Sequence, residues 1–169
     1  MKEAKKTKKM VFLLPLIGMA MLGGGLWSST VTHAKMLTEE VKIVMDDKEF
    51  HVVKGGMPGR NEFELVQGLP TEITLENKDV VAHEFMSTLL TRVPVQVSGE
   101  ATVLSTKRAR GFRVDGGKTV TLSFIPPVDT ETGETMYDVF WCNIHGKHYG
   151  DAMRGEILTV ATTTGTGAF

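Results

Sequence analysis

The chain has 169 residues, 41% hydrophobic and 23% charged, which is typical of a soluble globular domain and not of a collagen, a coiled coil or a disordered tail. The charge is unevenly placed, because five lysines and one acid lie in the first ten residues, leaving 14 basic and 19 acidic residues from Lys35 onward. A body with this acidic excess lacks the attraction that drives binding to a polyanion. We therefore expect no nucleic-acid partner.

The first 34 residues are typical of a secretory signal. A lysine cluster precedes an uncharged apolar run at 10–27, and a small and polar run ends at Ala34. We expect export to the periplasm or the extracellular space, with cleavage after Ala34. The alternative is an uncleaved membrane tether through residues 10–27, since this run approaches the roughly 18 to 20 residues that span a bilayer. Three consecutive glycines and Pro15 weaken the run as a lasting helix.

The rest of the chain is predicted to be all-β. No segment after residue 41 keeps a 3.6-residue apolar period, whereas several short stretches alternate with period two or are rich in β-branched and aromatic residues. The pattern predicts a Greek-key two-sheet β-sandwich at 35–161 and a flexible tail at 162–169. The segment 88–114, which has four basic residues at positions 107–113 in an otherwise acidic body, is expected to be mainly a long solvated loop, with a docking surface as the alternative. The predicted strands are 41–45, 50–53, 63–66, 71–76, 80–86, 93–97, 119–124, 136–142 and 156–160.

Cys142 is the only cysteine in the chain. In an oxidising compartment cysteines are normally paired, and a single cysteine cannot form an internal disulfide. An intermolecular disulfide and a buried, inert thiol are alternatives. The neighbours of Cys142 favour a metal-bound thiolate.

Those neighbours are soft and borderline metal donors in one short segment. A predicted strand ends at Cys142, a loop with His145 and His148 follows, and Met153 opens the next strand. Thiolate, imidazole and thioether donors together select copper, and a His2Cys set with a weak axial Met is the arrangement of electron-transfer copper sites. The sequence therefore predicts a mononuclear copper site.

A remote histidine is needed to complete this site, because one loop cannot supply two imidazoles without strain. His83 follows a predicted turn about sixty residues before Cys142 and is the candidate. Glu84 is interpreted as a solvated neighbour of the ligand or as the hydrogen-bond acceptor for its second ring N–H. Metal-bound histidines almost always have such an acceptor. Trp141 points opposite to Cys142 by strand alternation and is assigned to the core.

Two stretches resemble the cupredoxin family of type 1 (blue) copper proteins, in particular its exported plastocyanin-like and sulfocyanin-like members. His83-Glu-Phe-Met86 is similar to the H-E-F-M of the first ligand, and His148-Tyr-Gly-Asp-Ala-Met153-Arg-Gly155 is similar to the H-Y-x3-M-x-G of the second. The likeness covers most of the body in order and is close only at these stretches. It implies a copper-loaded Greek-key sandwich that passes single electrons between redox protein partners.

The identity of the second imidazole is left open by the spacing. Cys142 and His148 form C-x5-H, one residue longer than the family pattern, but the spacing from His148 to Met153 is intact, which favours His148. His145 gives the C-x2-H of plastocyanins and lies farther from Met153 than is usual. A third alternative is that both histidines bind, as in nitrosocyanin, a red copper protein of the same superfamily.

The predicted function is therefore an exported copper-binding electron carrier that is not an enzyme. One alternative is a nitrosocyanin-like red copper site that is catalytic or binds a small ligand. Another is a periplasmic copper carrier, against which stand only six methionines after residue 34, dispersed rather than in runs. No serine, histidine and aspartate pattern or pair of carboxylates indicates a hydrolase.

Overall fold

The structure is a computed structural model, and it describes residues 37–145 and 150–161. The predicted signal or tether at the amino end and the predicted tail at 162–169 lie outside these residues. Among the described residues, no helix has the length and apolar character needed to cross a membrane. Two short 3-10 turns, Leu89–Thr91 and Gly150–Met153, interrupt a chain of strands. The strands are β1 (Glu39–Asp46), β2 (Glu49–Lys54), β3 (Glu62–Val66), β4 (Thr71–Asn77), β5 (His83–Ser87), β6 (Gln96–Ser98), β7 (Thr102–Ser105), β8 (Arg110–Val114), β9 (Thr119–Phe124), β10 (Met136–Trp141) and β11 (Arg154–Val160).

The strands form two mixed sheets, so the predicted all-β sandwich is confirmed. The first sheet has the order β2-β1-β4-β9-β6 and the second the order β3-β11-β10-β5-β8-β7. β1 runs parallel to β4 and β11 runs parallel to β3, whereas the other neighbours are antiparallel. In β9 the apolar residues Val120, Leu122 and Phe124 are buried and the hydroxyl residues between them face outward. This alternation is what a strand between core and water requires.

Four of the six phenylalanines in the core pack against one another between the sheets. Phe50 comes from the first sheet, and Phe63, Phe85 and Phe140 come from the second. Their ring centroids lie 5.2 to 6.3 Å apart, within the range of favourable aromatic pairs. Phe85 stands two residues after the start of β5, and Phe140 stands near the end of β10. The aromatic core therefore anchors the two strands that carry the candidate metal donors.

The prediction of a long loop at 88–114 is wrong in part, because two strands that were not predicted, β7 and β8, lie within this segment. β8 pairs along its whole length with β5, and β7 covers the edge of β8. Their sequence signal is weak, since every residue of β7 remains at least partly exposed and β8 has an arginine at its start and another within it. The strand predicted at 80–86 begins only at His83, because a turn held by Asn77 precedes it.

A buried carboxylate ties the connection after β5 to β10. Asp138 is nearly inaccessible and accepts hydrogen bonds from the Thr88 hydroxyl, at 2.6 Å, and from the Arg92 guanidinium. Arg92 ends the 3-10 turn Leu89–Thr91 and keeps 44% of its side chain exposed. A buried charge is tolerated only when such partners satisfy it.

We expect the substitution Arg92→Ala to lower the free energy of unfolding by about 1–3 kcal/mol, because it leaves the Asp138 carboxylate with the Thr88 hydroxyl alone. Urea unfolding monitored by circular dichroism measures the change. Arg108→Ala removes an exposed arginine and should stay within about 0.5 kcal/mol of the parent. Adding Asp138→Asn to Arg92→Ala should recover part of the loss, because a neutral amide costs less to bury. Equal effects of Arg92→Ala and Arg108→Ala would contradict the role of the pair.

Candidate metal centre

Two neighbouring strands bring His83 and Cys142 together. His83 is the first residue of β5, and Cys142 directly follows β10, which pairs antiparallel with β5. Phe85 and Phe140, each two residues from one of these donors, are buried on the same face, so strand alternation directs the donors inward as well. Both His83 and Cys142 are 0% exposed. The buried end of the sandwich thus holds one imidazole and one thiol.

His145 completes a group of three donors. Its Nδ1 lies 3.6 Å from the Cys142 Sγ and 3.0 Å from the His83 Nδ1, and the third side of the triangle, from Sγ to the His83 Nδ1, is 3.9 Å. The two imidazole rings are tilted by 58° with centroids 4.7 Å apart. Of the three donors, His145 is the one that remains partly exposed.

The dimensions of this triangle fit a metal ion. The point equidistant from the three atoms lies about 2 Å from each, which is close to a metal–imidazole bond and slightly shorter than a metal–thiolate bond. Two imidazoles and one thiolate in a trigonal arrangement are the donor set that copper electron-transfer sites use. The residues present therefore fit copper by both donor type and spacing.

The turn before β5 is fixed by a buried asparagine. The Asn77 side-chain amide donates to the carbonyl oxygens of Val81, at 2.8 Å, and Val114, at 2.9 Å, while its oxygen accepts the N–H of Asp79 at 3.0 Å. Gly116 passes against this turn so closely that an added Cβ would lie 2.5 Å from the Val80 carbonyl oxygen. The turn therefore has little freedom, and His83 begins β5 in a defined position.

Asp79 lies behind the His83 ring. One of its carboxylate oxygens, Oδ2, is 2.6 Å from the His83 Nε2, on the side of the ring away from the donor triangle. Burial raises the pKa of the Asp79 carboxyl, but hydrogen bonds from the Lys48 N–H, from His83 and from the Asp47 N–H together outweigh it, so the pKa lies below its ordinary value. Asp79 is therefore ionised at neutral pH and can only accept hydrogen bonds.

The acceptor of the His83 N–H is thus Asp79 and not Glu84, the residue that sequence reasoning considered. Glu84 contributes through its backbone instead, since its N–H points to the Cys142 Sγ at 3.4 Å. The sequence signal for Asp79 is only its position four residues before His83, in a polar turn. Its other partners come from residues more than thirty positions upstream and have no local pattern.

Of the two remaining predicted donors, the structure describes Met153 but not His148. Met153 is buried, and its backbone carbonyl accepts the Cys142 N–H at 2.9 Å, so the start of β11 lies beside the thiol. His148 lies outside the described residues, which omit 146–149. The described part of the chain brings together His83, Cys142 and His145.

Trp141 is not a core residue, which corrects the sequence-based assignment. Phe140 and Cys142 on either side of it are fully buried, whereas Trp141 is partly exposed and its indole N–H reaches the Asn143 Oδ1 at 3.4 Å. The predicted alternation is correct, but the side chains that face the core are those of Phe140 and Cys142 and not that of Trp141.

Searches for known relatives give structural matches only. No family model matches the chain, and no curated protein sequence matches it. A multicopper oxidase from Aquifex aeolicus matches at 15% identity with a TM-score of 0.48, over 75% of this chain and 30% of that one. Auracyanin A, a "blue" copper protein from Chloroflexus aurantiacus, matches at 15% identity with a TM-score of 0.45, over 73% of this chain and 98% of that one. A mutant of amicyanin in its Cu(I) form matches at 15% identity with a TM-score of 0.39, over 72% of this chain and 81% of that one.

The chain thus spans less than a third of the oxidase and nearly all of auracyanin A. At these identities and TM-scores the matches add no argument about function. The fold and the site rest on the chain's own sheets and donor atoms: an all-β sandwich of two mixed sheets with a His2Cys group at one end, whose donor types and spacing fit copper.

Proposed function

We propose that this protein is an exported electron carrier of the cupredoxin type, in which His83, Cys142 and His145 hold one copper ion. The observation that carries the proposal is the triangle of two imidazole nitrogens and one thiol sulfur with sides of 3.0, 3.6 and 3.9 Å. Copper bound there would supply one-electron chemistry, alternating between Cu(I) and Cu(II). Met153, whose backbone carbonyl accepts the Cys142 N–H, is proposed as a further donor that would bind the copper through its thioether sulfur.

The protein's own contribution is to hold the donors in place and keep water away. His83 and Cys142 are fully buried and stand on strands anchored by Phe85 and Phe140, so little rearrangement is open to them. The Glu84 N–H directed at the sulfur would stabilise the negative charge of a copper-bound thiolate. A site that stays rigid when its charge changes by one suits electron transfer.

The partly exposed imidazole of His145 is the proposed route by which electrons reach and leave the copper. Near it in sequence, Ile144 is 39% exposed, and in the turn before β5 Val80 is 97% exposed and Val81 is 41% exposed. Exposed apolar side chains in the loop that carries His145 and in the turn that precedes His83 suit a dry, transient contact with a redox protein partner. We propose that the partners dock at this end.

Two other functions are alternatives to the electron carrier. The W-C-x2-H placement of His145 also occurs in the nitrosocyanin-like reading, in which His148 would bind as well and the site would serve catalysis or a small ligand. A copper carrier needs exchangeable copper, and the complete burial of His83 and Cys142 opposes rapid exchange. We propose a periplasmic or extracellular location, which the signal pattern of the first 34 residues supports.

A redox titration of the copper-loaded protein tests the proposal. We expect one copper per chain and a single reversible one-electron transition. The transition is monitored by an intense visible thiolate-to-copper band, which should disappear on reduction and return on oxidation. The zinc-loaded protein is the matched control and should show no transition. Copper that is lost on each reduction would favour the carrier, and an oxidised form without the intense blue band would favour the red copper site.

A further inference from the structure

The β1–β2 hairpin and the first metal donor are joined by one carboxylate. The hairpin turn consists of Asp47 and Lys48, both with positive φ, at 50° and 59°. In this conformation the two successive backbone N–H groups point in the same direction, and both donate to Asp79, from Asp47 to Oδ1 and from Lys48 to Oδ2, each at 2.9 Å. The turn therefore forms a small anion-binding nest that is filled by a side chain of the protein itself.

The Asp79 backbone is held as firmly as its side chain. Its N–H donates to the Asn77 side-chain oxygen at 3.0 Å, and its carbonyl accepts the Gly117 N–H at 3.1 Å. The Lys78 N–H before it donates to the Met45 carbonyl of β1 at 2.8 Å. Asp79 thus has a fixed position that owes nothing to a metal.

From this position Asp79 sets the state of the His83 ring. Both Asp79 oxygens act as acceptors, since they receive the Asp47 and Lys48 N–H groups, so the 2.6 Å contact from Oδ2 to the His83 ring is made by an Nε2–H that the ring donates. The lone pair is then on Nδ1, the atom that lies in the donor triangle. The carboxylate also makes the imidazole a stronger donor and places a negative charge one ring away from the metal.

On this geometry we infer that Asp79 is a positioning residue for the metal centre, which transmits the rigidity of the β1–β2 turn in the first sheet to the ligand His83 in the second. The inference rests on the proposed function for its metal and not for its geometry. It makes the metal-free protein preorganised, because the ring carries the correct tautomer before any ion arrives. It also makes the charge of Asp79 favour the more positive, oxidised metal.

The test compares Asp79→Asn and Asp79→Ala with the parent chain. Asp79→Asn keeps the shape of the side chain and one acceptor oxygen but loses the charge. If Asp79→Ala does not fold, the measurements are made on Asp79→Asn. Asp115→Asn is the matched control, since it removes the same charge from an exposed aspartate on a nearby turn, whose side chain pairs with Arg113. Nitrogen-15 NMR of the metal-free proteins reads the His83 tautomer, and competition with a chelator reads affinity for Zn²⁺ and Cu²⁺.

We expect the parent and Asp115→Asn to show the Nε2–H tautomer, and Asp79→Ala to show a mixture. Affinity for both ions should fall about 10- to 100-fold in Asp79→Ala and less in Asp79→Asn. The reduction potential of copper should rise in both Asp79 variants and stay near the parent value in Asp115→Asn. An unchanged tautomer and affinity in both Asp79 variants, or an equal loss in Asp115→Asn, would overturn the inference.

The proposed function can fail separately from this role. A parent chain that binds no copper while Asp79→Ala still changes the His83 tautomer would end the copper proposal and leave the positioning role in place. A normal copper spectrum in the parent together with an unaltered His83 tautomer in Asp79→Ala would end the positioning role of Asp79 and leave the copper proposal in place.

Discussion

Replacing Cys142 with serine is expected to abolish the coloured copper site. The sulfur is the soft donor that selects copper and the source of the charge-transfer band, and no other cysteine in the chain can replace it. Serine is close in size and can accept the Glu84 N–H that now points to the sulfur, so the sandwich should still fold. Visible absorption and copper content after dialysis measure the effect, with circular dichroism as the check on folding.

His51→Ala is the matched control for this experiment, because it removes an exposed histidine of β2 that approaches Glu49 at 3.8 Å and lies outside the donor group. It should keep the band and the copper. Stoichiometric, tightly bound copper in Cys142→Ser would contradict the assignment of the thiolate as the selecting donor.

The second large effect is expected from His145→Ala. Its Nδ1 forms two sides of the donor triangle, at 3.0 and 3.6 Å, so its loss opens the site to water and removes one of two imidazoles. We expect loss of the parent spectrum and weaker copper binding, with the sandwich intact because the core does not include this side chain. Absorption, electron paramagnetic resonance and copper titration provide the measurement.

The companion variant His148→Ala separates the alternatives left open by the spacing. Retention of the parent spectrum in His148→Ala and its loss in His145→Ala gives the ligand set proposed here. The reverse result would assign the site to His148, as the spacing to Met153 favours. Loss of the spectrum in both variants, with Met153→Leu silent, would indicate a site with three histidines.

Donor chemistry and strand alternation predicted two of the three donors that the structure brings together, His83 and Cys142, and favoured His148 over His145 as the third. Cys142 at a strand end and His83 at the start of another strand are visible as residue types with a period of two around them, and neighbouring strands explain how they meet. The alternating strands in the same way predicted the sandwich, with β7 and β8 missed because neither has a clear inward stripe.

Other features depend on contacts between distant parts of the chain. Spacing rules describe only the length of the loop after Cys142; the structure places His145 in the donor group, and His148 lies outside the described residues. Asp79 is found by its link to a turn 31 to 32 residues upstream, and Trp141 by knowing which face of β10 the core covers. Such relations become visible only when the two sheets are packed together.

A crystal structure of the copper-loaded protein, with anomalous diffraction at the copper edge, tests the central claim most directly. The account predicts one copper peak per chain, bonded to the Cys142 Sγ and to the Nδ1 atoms of His83 and His145, with Asp79 still on the His83 Nε2. A copper peak elsewhere on the chain, or a copper bound at this end without the Cys142 sulfur, would contradict it.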